Sequence, residues 1–165
     1  MDKNLILNSL EIKQKTMRIA YQIYETFDEN EEIILAGIHS NGFTLAKMIS
    51  ASLSDIMNCK ITLCEVFVDK KNPLNTVTTS ITEEDYTNKN IVLIDDVLNS
   101  GSTLIYGVKH FLEVPLKKFK TAVLVDRNHK KYPVKVDFKG ISLSTSSKEH
   151  VKVVFEDANC YAYLE

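Results

Sequence analysis

Ile91-Val92-Leu93-Ile94-Asp95-Asp96-Val97-Leu98-Asn99-Ser100-Gly101-Ser102-Thr103 is the stretch on which the reading of this chain turns. It opens with four apolar residues in a row. A run this short and this unbroken fits a strand buried on both faces, as in a parallel sheet covered by helices. Two carboxylates follow at once, and then a turn of Asn99, Ser100, Gly101, Ser102 and Thr103 leads into a helical pattern. Such a turn exposes backbone N–H groups and hydroxyls at a helix N-terminus, where unsatisfied amides and the helix dipole favour a phosphate dianion. Gly101 has no side chain to keep phosphate oxygens away from the backbone. Adjacent carboxylates at a strand end repel each other and are costly to desolvate. They become useful where they accept hydrogen bonds from a vicinal diol or face a divalent cation. Asp, Ser and Thr are also ordinary helix N-caps, but a cap needs one such residue, not a run of them led by paired acids. The expected ligand is a sugar phosphate.

Outward from this stretch the pattern repeats. Ile33-Ile34-Leu35-Ala36-Gly37-Ile38 and Thr121-Ala122-Val123-Leu124-Val125 have the same buried-strand character, and Ile61 to Val68 is a weaker candidate. Apolar residues recurring at three- and four-residue steps predict helices over 9–27, through Leu10, Ile12, Met17, Ile19, Ala20, Ile23, Tyr24 and Phe27, and over 43–57, with Asn58 as a stop. A further helix fits 102–113, ended by Pro115. The order helix, strand, helix, strand, long loop, strand, helix, strand, short β pieces implies an α/β fold with an open, mostly parallel central sheet and flanking helices. Ligands of such sheets bind beyond the carboxyl ends of the strands, which directs attention to the loops after Ile38, Val68, Ile94 and Val125. With no repeat and no linker, residues 1–165 read as a single domain.

Bulk composition is that of a globular protein, 44% hydrophobic and 25% charged. No apolar run is long enough to span a bilayer and no leader pattern opens the chain, so a cytoplasmic protein without membrane contact is expected. Cys59, Cys64 and Cys160 are odd in number and lack zinc-site spacing, which fits reduced structural thiols. Charge is uneven: residues 109–152 hold eleven basic side chains against four acidic, inside a chain of net charge −2. That polarity fits either a phosphate-rich partner such as RNA or an ordinary solvated face.

The run Val92–Thr103 resembles the signature of type I phosphoribosyltransferases. The resemblance implies that fold, with a small C-terminal β hood, and a site for phosphoribosyl pyrophosphate (PRPP) with Mg2+. By this likeness Asp95 and Asp96 hold the ribose 2′ and 3′ hydroxyls and Asn99, Ser100, Gly101, Ser102 and Thr103 hold the 5′-phosphate. Asp95, Asp96 and Asn99 are the catalytic candidates. Ser100 stands where Thr is usual and Ser102 where Arg is frequent. Ile38-His39-Ser40-Asn41-Gly42 follows the first buried strand at the family's pyrophosphate position, with His39 and Asn41 in place of its frequent Lys or Arg. The segment Asp69–Thr76 stands where the family has a loop that closes over the reacting atoms, so Lys70 and Lys71 join His39, Ser40, Asn41 and Gly42 as pyrophosphate candidates. No direct protein ligand to Mg2+ is implied; PRPP and water near Asp95 and Asp96 would hold it.

Leu124 to Gly140, with Leu143-Ser144-Thr145-Ser146, is similar to the pyrimidine operon attenuators that double as uracil phosphoribosyltransferases, and the likeness runs from about residue 31 to 157. Asp126 and Arg127 would then border the nucleobase. Enzymes for 6-oxopurines usually carry a third Asp in the PRPP loop, where this chain has Asn99, so uracil is favoured. The implied reaction joins PRPP and a nucleobase into a nucleoside 5′-monophosphate and pyrophosphate. The alternatives are an RNA-binding regulator that senses nucleotides, and a relative that binds nucleotides with weak catalysis. A homodimer or higher homo-oligomer is expected from the resemblance.

Overall fold

The computed structural model describes residues 4–146, 148–157 and 159–165. In chain order the elements are β1 (Asn4–Leu7), α1 (Ser9–Thr26), β2 (Ile33–Ile38), α2 (Asn41–Ile56), β3 (Ile61–Phe67), β4 (Thr78–Thr79), α3 (Glu83–Tyr86), β5 (Asn90–Leu98), α4 (Ser102–Phe111), β6 (Lys118–Asp126), β7 (Phe138–Ser142), β8 (Val151–Glu156) and β9 (Asn159–Leu164). One sheet has the order β4-β3-β2-β5-β6-β7 and a second, smaller one β1-β9-β8. Strands β3, β2, β5, β6 and β7 run parallel, and only the two-residue β4 is antiparallel to its neighbour. The fold is α/β with a mostly parallel sheet, flanking helices and extra strands at the C-terminal end.

Alternation of side chains across the strands divides the core in two. Ile33, Leu35, Val92 and Ile94 pack on one face with Ile12, Ile19 and Ile23 of α1 and Leu45, Ile49 and Leu53 of α2. Ile34, Ala36, Ile38, Ile91 and Leu93 face the other way, against Leu104 and Phe111 of α4 and Tyr86 of α3. All six residues of β2 are buried, as its unbroken apolar run requires. A reciprocal capping box starts α1: Asn8 Oδ1 accepts from Glu11 N–H at 2.9 Å, and Glu11 accepts from Asn8 N–H at 2.8 Å.

Several boundaries differ from the sequence reading for identifiable reasons. Strand β5 continues past Ile94 to Leu98, because Asp95, Val97 and Leu98 stay paired with Val123, Val125 and Asp126 of β6. The two acids therefore stand on the strand and not in the loop. Helix α4 stops at Phe111, four residues before Pro115, so the proline does not end it. Helix α2 begins at Asn41 and ends at Ile56. Leu10 and Met17, counted toward the buried face of α1, are exposed, while Thr16 takes a core position by donating its hydroxyl to Ile12 O at 2.8 Å. The described residues also begin with a strand, not a helix. β1 pairs antiparallel with β9, and Ser9 Oγ donates to Cys160 O and accepts from Cys160 N–H, both at 2.8 Å.

Ile19 is fully buried on α1. Ile19→Ala is expected to lower stability by about 2–5 kcal/mol, read as an earlier urea midpoint with an unchanged slope.

Candidate active site

Strand β2 leads by α2 to β3 on one side, while β5, lying on its other side, leads by α4 to β6. The chain thus reverses its direction of winding between β2 and β5, and in open α/β sheets the crevice at such a switch is where ligands bind. The loops at its carboxyl rim are residues 39–40, ahead of α2, and 99–101, ahead of α4.

On the β5 side the chain must leave a strand still paired with β6 and enter a helix within three residues. Gly101 makes this possible at φ 85°, a left-handed conformation open to glycine. A Cβ there would also lie 2.7 Å from Val134 Cγ1. The turn is held from outside, since Ser100 O accepts from Lys131 N–H at 2.8 Å and Tyr132 N–H at 3.1 Å. No side chain of the capping residue closes the first turn of α4, so its N-terminus faces a cavity of about 80 Å³ lined by Lys70 and the whole run Asp95–Leu104. The structure thereby brings Asp95, Asp96, Asn99, Ser100, Gly101, Ser102, Thr103 and Lys70 together. Lys71 is exposed and outside that lining. The 69–75 segment is a compact turn in which Asp69 accepts from Lys71 N–H, Asn72 N–H and Asn75 Nδ2.

The two carboxylates are not equivalent. Asp95 is buried, and its Oδ1 accepts from Asp96 N–H at 2.9 Å. Burial, reinforced by the neighbouring Asp96, pushes its carboxyl up to about 8, with Lys70 pulling the other way. Asp96 is half-buried and fully engaged, its Oδ1 accepting from Val97 N–H at 2.9 Å and its Oδ2 from Asn41 Nδ2 at 2.8 Å.

Asn41 also donates to Val153 O on β8 at 2.9 Å, so this one amide joins the β2 loop, the acid pair and the smaller sheet. Gly42 is tightly enclosed, because a Cβ there would stand 2.9 Å from Ile94 O and 3.2 Å from Asp95 Cα. Ser40 carries a non-glycine positive φ of 72°, a strained conformation of a kind that gathers at functional sites. His39 Nδ1 meets Glu65 Oε1 at 2.6 Å, and its ring lies 4.9 Å from that of Phe67.

Asp126 and Arg127, expected at the border of a base pocket, are buried and are not among the residues lining this cavity. Asp126 Oδ1 accepts from Asn128 N–H at 2.8 Å and its Oδ2 from Lys139 Nζ at 3.3 Å. Arg127 donates to Asn99 Oδ1 at 2.9 Å and to groups on Thr145, Ser146 and Glu149. Sequence reasoning missed Glu65 and Lys139 as partners of site residues. Glu65 left one trace, a carboxylate between Cys64 and Val66 near the carboxyl end of an apolar strand. Lys139 left none, because its partner comes from another strand.

Residues 4–158 match the phosphoribosyl transferase domain family. The chain is 32% identical to the Bifunctional protein PyrR of Streptococcus agalactiae, over 93% of this chain and 90% of that protein. It is 30% identical to the Bifunctional protein PyrR of Microcystis aeruginosa, over 92% and 90%. Among solved structures, the hypoxanthine phosphoribosyltransferase of Trypanosoma cruzi in complex with the product IMP superposes with a TM-score of 0.76 at 16% identity, covering 91% of this chain and 83% of that one. A hypoxanthine-guanine phosphoribosyltransferase from Bacillus anthracis gives 0.71 at 21%, covering 87% and 86%. At those identities the structural likeness speaks for the fold alone. The chain belongs to the phosphoribosyl transferase domain family, as a type I, PyrR-like member.

The raised carboxyl of Asp95 has a stability consequence. Between its ordinary value of 3.8 and about 8, the folded protein retains a proton that the unfolded chain has lost. Stability therefore falls as pH rises through that window. Urea unfolding at pH 5, 6.5 and 8 should show this decline, and Asp95→Asn should flatten it; an equally steep decline in the variant would assign it elsewhere.

Proposed function

We propose that this protein transfers the phosphoribosyl group of PRPP to a nucleobase, with uracil favoured, and that residues 1–165 form one unit for that reaction. The observation that carries the proposal is the continuity of the cavity lining: paired carboxylates at the end of β5 run straight into a glycine turn and a helix N-terminus whose capping residue, Gly101, has no side chain, with Lys70 beside them. In the reaction a base nitrogen forms a bond to C1′ while the C1′–O bond breaks. Its electron pair leaves on pyrophosphate, and the proton of the base nitrogen passes to solvent.

Backbone amides and hydroxyls of residues 99–103 anchor the 5′-phosphate, using the partial positive charge of the α4 N-terminus. Asp95 and Asp96 accept the ribose hydroxyls. To do so Asp96 exchanges its bond from Asn41, and Asp95 gains hydrogen-bond donors that favour its ionised form. On the pyrophosphate side stand His39, Ser40, Asn41 and Gly42, with Lys70 and Lys71 from the 69–75 turn. Glu65 holds the His39 ring, which takes the place of the family's frequent Lys or Arg. Positive charge builds on the ribose as pyrophosphate departs, so orientation and exclusion of water are what the site contributes.

Among the described residues no cluster of three or more His, Cys, Asp or Glu stands ready to hold a metal. The residues nonetheless fit Mg2+ held by PRPP oxygens and water, because a buried carboxyl beside a second one is relieved by a nearby divalent cation. When bound, the ion would neutralise the pyrophosphate leaving group. The basic 109–152 segment gives less support to RNA binding. Lys117, Lys120, Lys135, Lys139 and Lys152 all lie within ion-pair distance of acidic side chains.

Incubation with PRPP, Mg2+ and each of uracil, hypoxanthine, guanine, xanthine, adenine and orotate, followed by chromatography, should yield a nucleoside monophosphate from uracil. Joint replacement of Asp95 and Asp96 by Asn should lower turnover by about a hundredfold or more. Turnover unchanged in that double variant would remove the assignment.

A further inference from the structure

Arg127 is 5% exposed, and its guanidinium makes four hydrogen bonds within the protein. Nε–H donates to Thr145 Oγ1 at 3.0 Å, Nη1–H to Asn99 Oδ1 at 2.9 Å, and Nη2–H to Ser146 O at 3.3 Å and to Glu149 O. Its backbone N–H donates to Leu98 O at 3.2 Å, so Arg127 grips the end of β5 at two successive residues. A guanidinium has donors only. The Asn99 atom facing it is therefore the carbonyl oxygen, and the usual ambiguity of an amide flip is removed by chemistry. Asn99 itself is exposed and lines the cavity. With its oxygen turned back to Arg127, the group it has left for a ligand is the NH2.

We propose that Arg127 is a positioning residue that locks Asn99 as a hydrogen-bond donor toward the nucleobase, so that the site selects a base presenting a carbonyl oxygen or an unprotonated ring nitrogen at that point. The inference rests on the transferase reading above. A base presenting N–H at the same place would set donor against donor and leave both unsatisfied, which is the strong form of discrimination available to a polar site. An aspartate at this position would keep the bond from Arg127 with one oxygen and turn the other, an acceptor, toward the ligand. One atom thereby reverses the polarity that the base meets.

Two probes separate this inference from the reading beneath it. Uridine 5′-monophosphate carries a base, and ribose 5-phosphate shares its sugar phosphate without one. In side-chain amide NMR spectra of the 15N-labelled wild-type protein, the Asn99 NH2 pair is assigned by its loss in Asn99→Asp. Both probes should perturb the backbone amides of residues 100–103, and only uridine 5′-monophosphate should move the Asn99 pair. With PRPP saturating, Asn99→Asp should lower kcat/KM for the base the wild type uses by about tenfold to a hundredfold. Arg127→Met should weaken use of that base in the wild type and add little in an Asn99→Ala background, as befits a residue acting through another. Additive losses would make Arg127 merely structural and overturn the proposal. So would binding of both probes with the Asn99 pair unmoved, a result that needs no Arg127 variant to fold and leaves the transferase reading intact. A protein that binds neither probe overturns both.

Discussion

At the carboxyl end of β5 a buried parallel strand has to become a cavity-facing helix start while carrying two carboxylates, and Asp95 is the residue on which this falls. It remains in register with β6, so its backbone is committed to the sheet and its side chain to a buried position. A carboxyl desolvated beside another carboxyl prefers its neutral form, and it persists here because the pairing of β5 with β6 holds it in place. Around this point the crevice is assembled: Gly42 lets α2 come within contact of Asp95, Gly101 turns the chain, and Asn41 fills the acceptor positions of Asp96 and Val153. Each of these is a local device answering one constraint, that acids and amides must face the same small space.

The smaller sheet bears on the site through that last contact. β1 and β9 bring the two ends of the described chain together, and β8, alongside β9, presents Val153 O to Asn41. On the opposite side Arg127 ties the 145–149 segment to Asn99. Both rims are therefore attached to the C-terminal part of the chain by polar side chains that also address the central loops. A hydrogen-bonded fork has few alternative arrangements, so these ties set orientation as well as proximity.

Much of this was legible from residue order. β2 was read with its observed limits, because an all-apolar run bounded by Glu32 and His39 has only one place to be buried. The acid pair, the glycine turn and the two strand-to-helix loops were found because local composition carries their chemistry. The reading failed at Asp95–Leu98, where acids looked like the beginning of a loop and cross-strand pairing kept them in β5. It failed again at Leu10 and Met17, since a helix in isolation does not reveal which of its apolar residues meets a neighbour. For Asp126 and Arg127 the place at the end of β6 was read from the sequence, but their side-chain partners Lys139 and Asn99 were not.

By itself the sequence determined the parallel α/β class and where the paired acids and the glycine turn stand along the chain, because hydrophobic period, glycine and adjacent charges act over a few residues along the chain. Tertiary structure alone decided that Asp95 and not Asp96 is the buried acid, that His39 is held by Glu65, that β1 pairs with β9, and which way the Asn99 amide faces. Those outcomes depend on groups far apart in sequence meeting at a few ångströms, where hydrogen-bond direction and desolvation act and where residue order has no vote.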